Sequence, residues 1–433
     1  MQDVRNRSYE RGLKSSVDWR LVVCFLLIML FGWVNIYAAV QSAEPSSIFD
    51  FSANSGKQAV WMGGALLLAT LILFVVTPKI WEALALPGYG IVILLLFAVR
   101  FLGTEHKGSL SWFSFGPISF QPAEISKITT SLFLAAVMSR QNFKLSDRRD
   151  FIKAALIIAL PMLAIIFEKE TGSALVYVGF MFVLYREGMS GWLITMVGMA
   201  ILLFILRLTT SWWVALCVLL AVCLLFLLPR LRRFRVLSQR REAVRNTILA
   251  FCAGAALILA TGFIFNNVLQ DHQRKRIEVL LGIVDDPRGL GYNVHQSMIA
   301  IGSGGFSGKG YLGGTQTTFG FVPEQSTDFI FCTVGEEWGF LGCLAVIVLY
   351  SLLIFWIVED ADKARESFTR IYGYSLASCL FMHLFINIGM TIGLMPIIGI
   401  PLPLFSYGGS SLWAFTVMIF IFIALNRQEN KYF

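Results

Sequence analysis

Asp328 stands where a glycine-rich polar segment meets a long apolar run, and a carboxylate so placed is suited to chemistry on a substrate that is itself held in a membrane. The segment Tyr292 to Gly342 reads YNVHQSMIAIGSGGFSGKGYLGGTQTTFGFVPEQSTDFIFCTVGEEWGFLG, and seven of the thirteen residues from Gly302 to Gly314 are glycine. Its backbone can approach a ligand closely or take positive φ. Lys309 within that run, and the run His272-Gln273-Arg274-Lys275-Arg276 before it, supply cations suited to phosphate. Together with glycine-exposed N–H groups they would make a pyrophosphate cradle; taken one at a time, each reads equally well as a solvated loop charge.

A second cluster is WFSFGPISFQPAEISK, Trp112 to Lys127. Pro122 suits the first turn of a helix whose free N–H groups could face an anion. Glu124 and Lys127, three apart, share a face and can pair; the plainer alternative is a capping glutamate and a snorkelling lysine. Trp112 is either an interfacial aromatic or a stacking platform for a sugar ring. Glu168-Lys169-Glu170 with Gly172-Ser173 interrupts two apolar runs and reads as a turn. Glu336 and Glu337 fall about 12 Å beyond Asp328 at 1.5 Å per residue, inside an apolar span, where structural pairing is expected. Pro396, Pro401 and Pro403, with Gly408-Gly409-Ser410-Ser411, break the helical pattern before the last span, and irregular backbone is tolerated there if protein or a wet cavity covers it.

The elements that must position these residues are membrane helices. Of 433 residues 57% are hydrophobic and only 14% charged, far from the balance of a soluble domain. Twelve apolar runs suggest twelve spans, at roughly 20–40, 58–77, 80–102, 122–139, 152–167, 173–190, 192–207, 211–229, 246–266, 329–358, 370–395 and 408–426. The first reads as a retained signal anchor, being too long for a cleaved signal. Lys and Arg concentrate in the arm 1–19, in the loop 140–153 and in the loop 230–245, which puts both termini in the cytoplasm and the loops 103–121, 168–172, 267–328 and 396–407 outside. The formal net charge of +8 follows from that topology and from attraction to membrane lipids, not from nucleic-acid binding. The segment 230–245 reads as a topological anchor rather than an interfacial helix. All seven cysteines lie in apolar runs and read as packing residues. No Walker loop surrounds Lys309, and the four histidines lack the spacing of a zinc helix. The expected architecture is a single all-α polytopic domain, 1–433, with one large outer loop over 267–328.

The stretches GTQT (314–317), PEQSTDFIF (323–331), GEEWG (335–339) and NIGMTIGLMPIIGIPLPLFSYGGSS (387–411) closely resemble the SEDS family of shape, elongation, division and sporulation proteins, and its elongation members more than its division members. The resemblance covers nearly the whole chain. It implies a peptidoglycan glycosyltransferase that polymerises lipid II in the bacterial inner membrane, with Asp328 as catalytic base and an extracytoplasmic site. It assigns Gly108, Trp112, Gln121, Pro122, Glu124 and Lys127 to the family's GxxxW and QPSExxK motifs, with Ser111 and Ala123 as departures. Glu324, Ser410 and Ser411 lie in its other motifs and, with Trp112, Glu124, Lys127, Arg276 and Lys309, are the candidate substrate-binding residues. The family's QPDLGTAL reads EKETGSAL here, Glu168 to Leu175. Ten spans are usual for the family, so an extra pair is placed between about 192 and 245.

Joining an α-linked sugar pyrophosphate into a β-1,4 glycan requires inversion at the anomeric carbon, for which one base is sufficient. No resident metal is expected, although a divalent cation could assist the departing pyrophosphate. The resemblance implies a single-span class B penicillin-binding transpeptidase as partner. A lipid II flippase, a secondary transporter, a scaffold and a division-type member are the rival readings.

Overall fold

The computed structural model describes residues 17–41, 47–106, 109–115, 118–233, 237–267, 274–275, 278 and 291–430. Most of the arm 1–19, and Arg276, lie outside the described residues. Two compact units emerge, one of Met1–Met189 with Asn293–Phe433 and one of Ser190–Tyr292.

The first unit opens with α1 (Trp19–Val40), α2 (Asn54–Phe74) and α3 (Lys79–Leu102). Asp18 caps α1, its carboxylate accepting from Arg20 N at 2.9 Å. Beyond α3 comes a feature that an all-helical expectation omits. Strands β1 (Thr104–His106), β2 (Ser109–Phe115) and β3 (Ile118–Phe120) form an antiparallel meander, with Thr104 opposite Trp112 and Phe113 opposite Phe120. Ser109-Leu110-Ser111-Trp112 alternates polar and apolar with the period of two that a strand needs, and the segment is too short and too polar to span.

Helix α4 (Pro122–Met138) begins with Pro122 in its first turn. It is followed by α5 (Arg148–Phe167), capped by Asp147, then α6 (Thr171–Val176), a 3₁₀ turn and α7 (Phe180–Arg186). In the second unit α8 (Gly191–Thr209), α9 (Trp212–Arg233) and α10 (Leu237–Asn267) pack around Leu203, Ala215, Leu219 and Ile258. The first unit resumes with α11 (Tyr292–Gly304), α12 (Thr315–Thr318), α13 (Ile330–Lys363), α14 (Ser367–Thr391) and α15 (Gly409–Asn430). Helices α11 and α12 occupy ground that reads as open loop within 267–328.

Ten helices among the described residues are long and apolar enough to cross a membrane. The twelve-span expectation also needs α4, with 17 residues, and the segment Thr171–Arg186, and both fall short of that length.

Helix α13 is 34 residues long, about 51 Å if continuous, and exceeds the roughly 30 Å apolar core of a bilayer. It breaks at Gly339, where φ is 64° and ψ is −156°, a conformation essentially restricted to glycine. The freed backbone groups are satisfied by the glycine-rich run. Lys309 N donates to Glu336 O and Gly310 N to Glu337 O, both at 3.0 Å, while Phe340 N donates to Gly305 O at 2.9 Å and Leu341 N to Phe306 O at 3.2 Å. A side chain at 339 would put its Cβ 2.3 Å from Gly308 N. The glycines of this run therefore serve close backbone packing. The N–H groups of Gly308, Lys309, Gly310 and Gly313 all bond to protein carbonyls, which corrects the open pyrophosphate cradle expected there.

Candidate functional site

Lys127 is fully buried, and an ammonium can be held there only if it is paired. Its Nζ lies 2.8 Å from Glu124 Oε1, one helical turn back on α4, and 2.9 Å from His383 Nε2 on α14. The face of Phe415, on α15, lies 5.0 Å away and adds a cation–π contact. Helix α14 runs beside both α4 and α13, and it carries a second polar side chain one turn beyond His383. Asn387 Nδ2 donates to the carbonyl of Asp328 at 2.8 Å and to that of Ile400 at 2.7 Å.

Asp328 itself is half-buried in the turn that leads into α13. Gly399, with φ +74°, lies against its carboxylate, since a Cβ there would stand 3.4 Å from Oδ2. The turn is pinned on several sides. Thr327 N and Phe329 N donate to Glu324 O at 3.1 and 3.2 Å, Tyr407 N donates to Ser326 O at 2.9 Å, and Gln325 Nε2 reaches Ala39 O at 2.6 Å and Thr317 O at 2.8 Å. The proline-broken segment before α15 thus closes over the aspartate. Two predicted clusters, the Glu124–Lys127 pair and Asp328, meet through α14 and through residues 399–401.

The α5–α6 connector supplies further carboxylates. Glu170 accepts from Gln121 Nε2 and, at 2.8 Å, from Ser173 Oγ. Burial raises its pKa above the usual carboxylate range. Glu168 is 1% exposed, with neither carboxylate oxygen hydrogen-bonded among the described residues. Burial first, and then the neighbouring Glu170, push its pKa up to about 9. Its position at the C-terminal end of α5 opposes a negative charge as well. The connector is thus not an ordinary solvated turn: Glu168 is buried, and Glu170 is partly buried and hydrogen-bonded, while Lys169 between them is exposed.

Lys309 is engaged elsewhere. Its Nζ lies 2.6 Å from Glu336 Oε1 and 2.7 Å from Thr315 Oγ1. Glu336 also accepts from the backbone N–H groups of Thr315, Gln316 and Thr317 at 2.7, 2.8 and 2.9 Å, and from Thr317 Oγ1 at 2.9 Å. The GTQT stretch is thus a first helical turn built around a buried carboxylate, the structural pairing expected for Glu336. Trp112 is half-buried on β2, and its carbonyl accepts from Thr104 Oγ1 at 3.2 Å. Glu324 is exposed at φ +56°, with Oε2 accepting from Thr327 Oγ1 at 3.0 Å. Ser410 and Ser411 open α15, where Ser411 Oγ is buried without a hydrogen-bond partner among the described residues. No group of three His, Cys, Asp or Glu side chains among the described residues is arranged to hold a metal ion.

A profile of the family described as Cell cycle protein, that of FtsW, RodA and SpoVE, matches residues 18–245 and 242–431. The chain belongs to that family. Among relatives of this FtsW, RodA and SpoVE family, peptidoglycan glycosyltransferase MrdB of Escherichia coli (strain K12) is 33% identical over 388 residues, 89% of this chain and 88% of its own. Peptidoglycan glycosyltransferase RodA of Treponema pallidum (strain Nichols) is 32% identical over 443 residues, 97% of this chain and 99% of its own. A solved chain from a peptidoglycan synthase complex superposes with TM-score 0.68 at 26% identity, covering 95% of this chain and 98% of that one. The rod shape determining protein RodA of Thermus thermophilus shares the fold, with TM-score 0.59, 23% identity and coverage of 95% and 97%. The family resemblance read from the motifs is thereby borne out.

Reading the chain alone missed His383 and Asn387. Both were visible as polar residues four apart inside an apolar run, where a polar side chain is expensive and so marks a site by default.

Proposed function

We propose that this protein is an elongation-type peptidoglycan glycosyltransferase in the bacterial inner membrane, polymerising lipid II into β-1,4 glycan strands with Asp328 as the general base. The observation that carries the reading is the convergence of Asp328 with the Glu124–Lys127 pair across α14, in a chain whose relatives carry that activity in their names. Asp328 accepts the proton of the acceptor sugar's 4-hydroxyl as the oxygen attacks the donor's anomeric carbon. The bond from that carbon to the pyrophosphate breaks, and the product linkage is inverted. Lys127 donates to Glu124 and His383 and lies over the Phe415 ring, so its buried charge would act on the departing pyrophosphate through its field rather than by direct contact. A positive charge fixed in a site closed to water stabilises a developing pyrophosphate more than one in solvent would.

The twelve-span topology, with both termini cytoplasmic and the site on the outer face, belongs to the same proposal. So do a class B penicillin-binding transpeptidase as partner, consistent with the solved synthase complex, and a divalent cation arriving with the pyrophosphate.

Asp328→Asn is nearly isosteric and removes the base. Purified with its transpeptidase and given labelled lipid II in detergent, this variant should lose polymerisation by roughly 10²–10⁴-fold while retaining its thermal transition and partner binding. Wild-type-like polymer from the variant would exclude Asp328 as base. Wild-type protein that makes no polymer, yet moves labelled lipid II across liposome bilayers, would replace the transferase with a flippase.

A further inference from the structure

We propose that His383 is a positioning residue for glycosyl transfer: its Nε2 lone pair holds the ammonium of Lys127 in place, and with Asn387 one turn away it makes α14 the common mount for Lys127 and Asp328. This rests on the transferase reading above.

The tautomer follows from the partners. His383 Nδ1 lies 3.0 Å from Pro401 O, and a carbonyl can only accept, so Nδ1 carries the proton. Nε2 is then unprotonated, and at 2.9 Å it accepts from Lys127 Nζ, a group that can only donate. The charged groups facing the imidazole are Lys127 and, through it, Glu124. Phe415 closes the remaining side, its ring centroid 4.9 Å from that of His383 in an edge-to-face arrangement. The ammonium is therefore held in one place by a carboxylate, an imidazole and a ring face.

Glu124 Oε2 and Asn387 Oδ1, on the same residues that hold Lys127 and the Asp328 turn, are buried with no hydrogen-bond partner among the described residues.

His383 has a second duty as anchor of the segment at Pro401, and its two nitrogens divide the work. Two amide side chains separate these duties. In His383→Gln an acceptor oxygen can occupy the Nε2 position and keep Lys127 in place. In His383→Asn an N–H donor can occupy the Nδ1 position and keep the anchor, while the contact with Lys127 is lost.

The test is steady-state polymerisation of labelled lipid II by the full chain with its transpeptidase, alongside thermal unfolding of each variant. His383→Gln should stay within about threefold of wild-type kcat, and His383→Asn should lose roughly tenfold or more in kcat with little change in KM, since misplacing a catalytic group by about 1 Å costs up to 10²-fold. In a Lys127→Met background the two should no longer differ, because the effect runs through Lys127. An Asn variant as active as the Gln variant, or a difference that survives Lys127→Met, would overturn the assignment and leave only the anchor. Polymer from the wild-type protein is the control, and its absence would overturn the transferase reading itself.

Discussion

Replacing Glu336 by glutamine should cost stability before it touches chemistry. The carboxylate is fully buried, and its two oxygens serve Lys309, three consecutive backbone N–H groups and two threonine hydroxyls. A glutamine presents one oxygen and one NH₂. With its oxygen toward Lys309, Thr315 and Gln316, its NH₂ faces the N–H of Thr317, which then becomes a buried donor without an acceptor, at about 1–3 kcal/mol. The remaining bonds lose their ionic character and weaken by roughly half. Lys309 is 26% exposed and keeps part of its hydration, so the full cost of isolating a buried charge does not apply. The total comes to about 3–5 kcal/mol, in the range for a broken buried pair. Lys309→Met should cost less, because the carboxylate keeps its backbone and hydroxyl donors. Thermal unfolding in detergent, followed by intrinsic tryptophan fluorescence, reads both variants. An unchanged Tm for Glu336→Gln, or a larger drop for Lys309→Met, would refute the account of α12 as a turn organised by this carboxylate.

Glu168→Gln should flatten the pH dependence of stability. The Glu168 carboxyl is raised from 4.5 to about 9 by burial and then by Glu170, so its stabilisation is whole below pH 4.5 and is lost as pH rises through about 9. The Tm difference between variant and wild type should widen in the variant's favour across that window, and a constant difference would show the acid to be already ionised or solvated. For topology, single cysteines at Ser238 and Ser307 in a background lacking the seven native thiols should label from the cytoplasm and from outside respectively, since arginine-rich short loops stay inside. External labelling at Ser238 would overturn the twelve-span proposal.

Much of the fold was legible because apolar length alone marks a membrane helix, and the main site residues were legible as charges that an apolar run does not otherwise carry. What stayed hidden depends on contacts far apart in the chain. Lys127 and His383 are 256 residues apart, and no local pattern announces that one is the other's acceptor. The break in α13 was hidden for a different reason. Gly339 lies among residues that read as one continuous span, and its positive φ is stable only because residues 305–310 bond to the exposed carbonyls and N–H groups on either side. The glycines were therefore read correctly as permitting close approach, while the approaching group is the protein's own backbone and not a phosphate. The meander of residues 104–120 escaped because three short strands leave a weaker periodic signal than any helix beside them.

Burial explains why the Glu124–Lys127–His383 cluster is mounted where it is. In α14 and α15 respectively 78% and 72% of the most apolar window is covered by protein, against 6% for α8 and 11% for α9. A lysine, a histidine and a glutamate can be paired inside a membrane only where neighbouring helices shield them from lipid and supply partners. Helix α14 meets that condition, and one turn of it is enough to present both His383 and Asn387 on the same face. A proposed base needs the opposite environment, and Asp328 is only half-buried, standing in the turn before α13 rather than within the helix. The buried pair on α4 and the half-buried Asp328, the proposed base, are thus two electrostatic environments held in register by one helix.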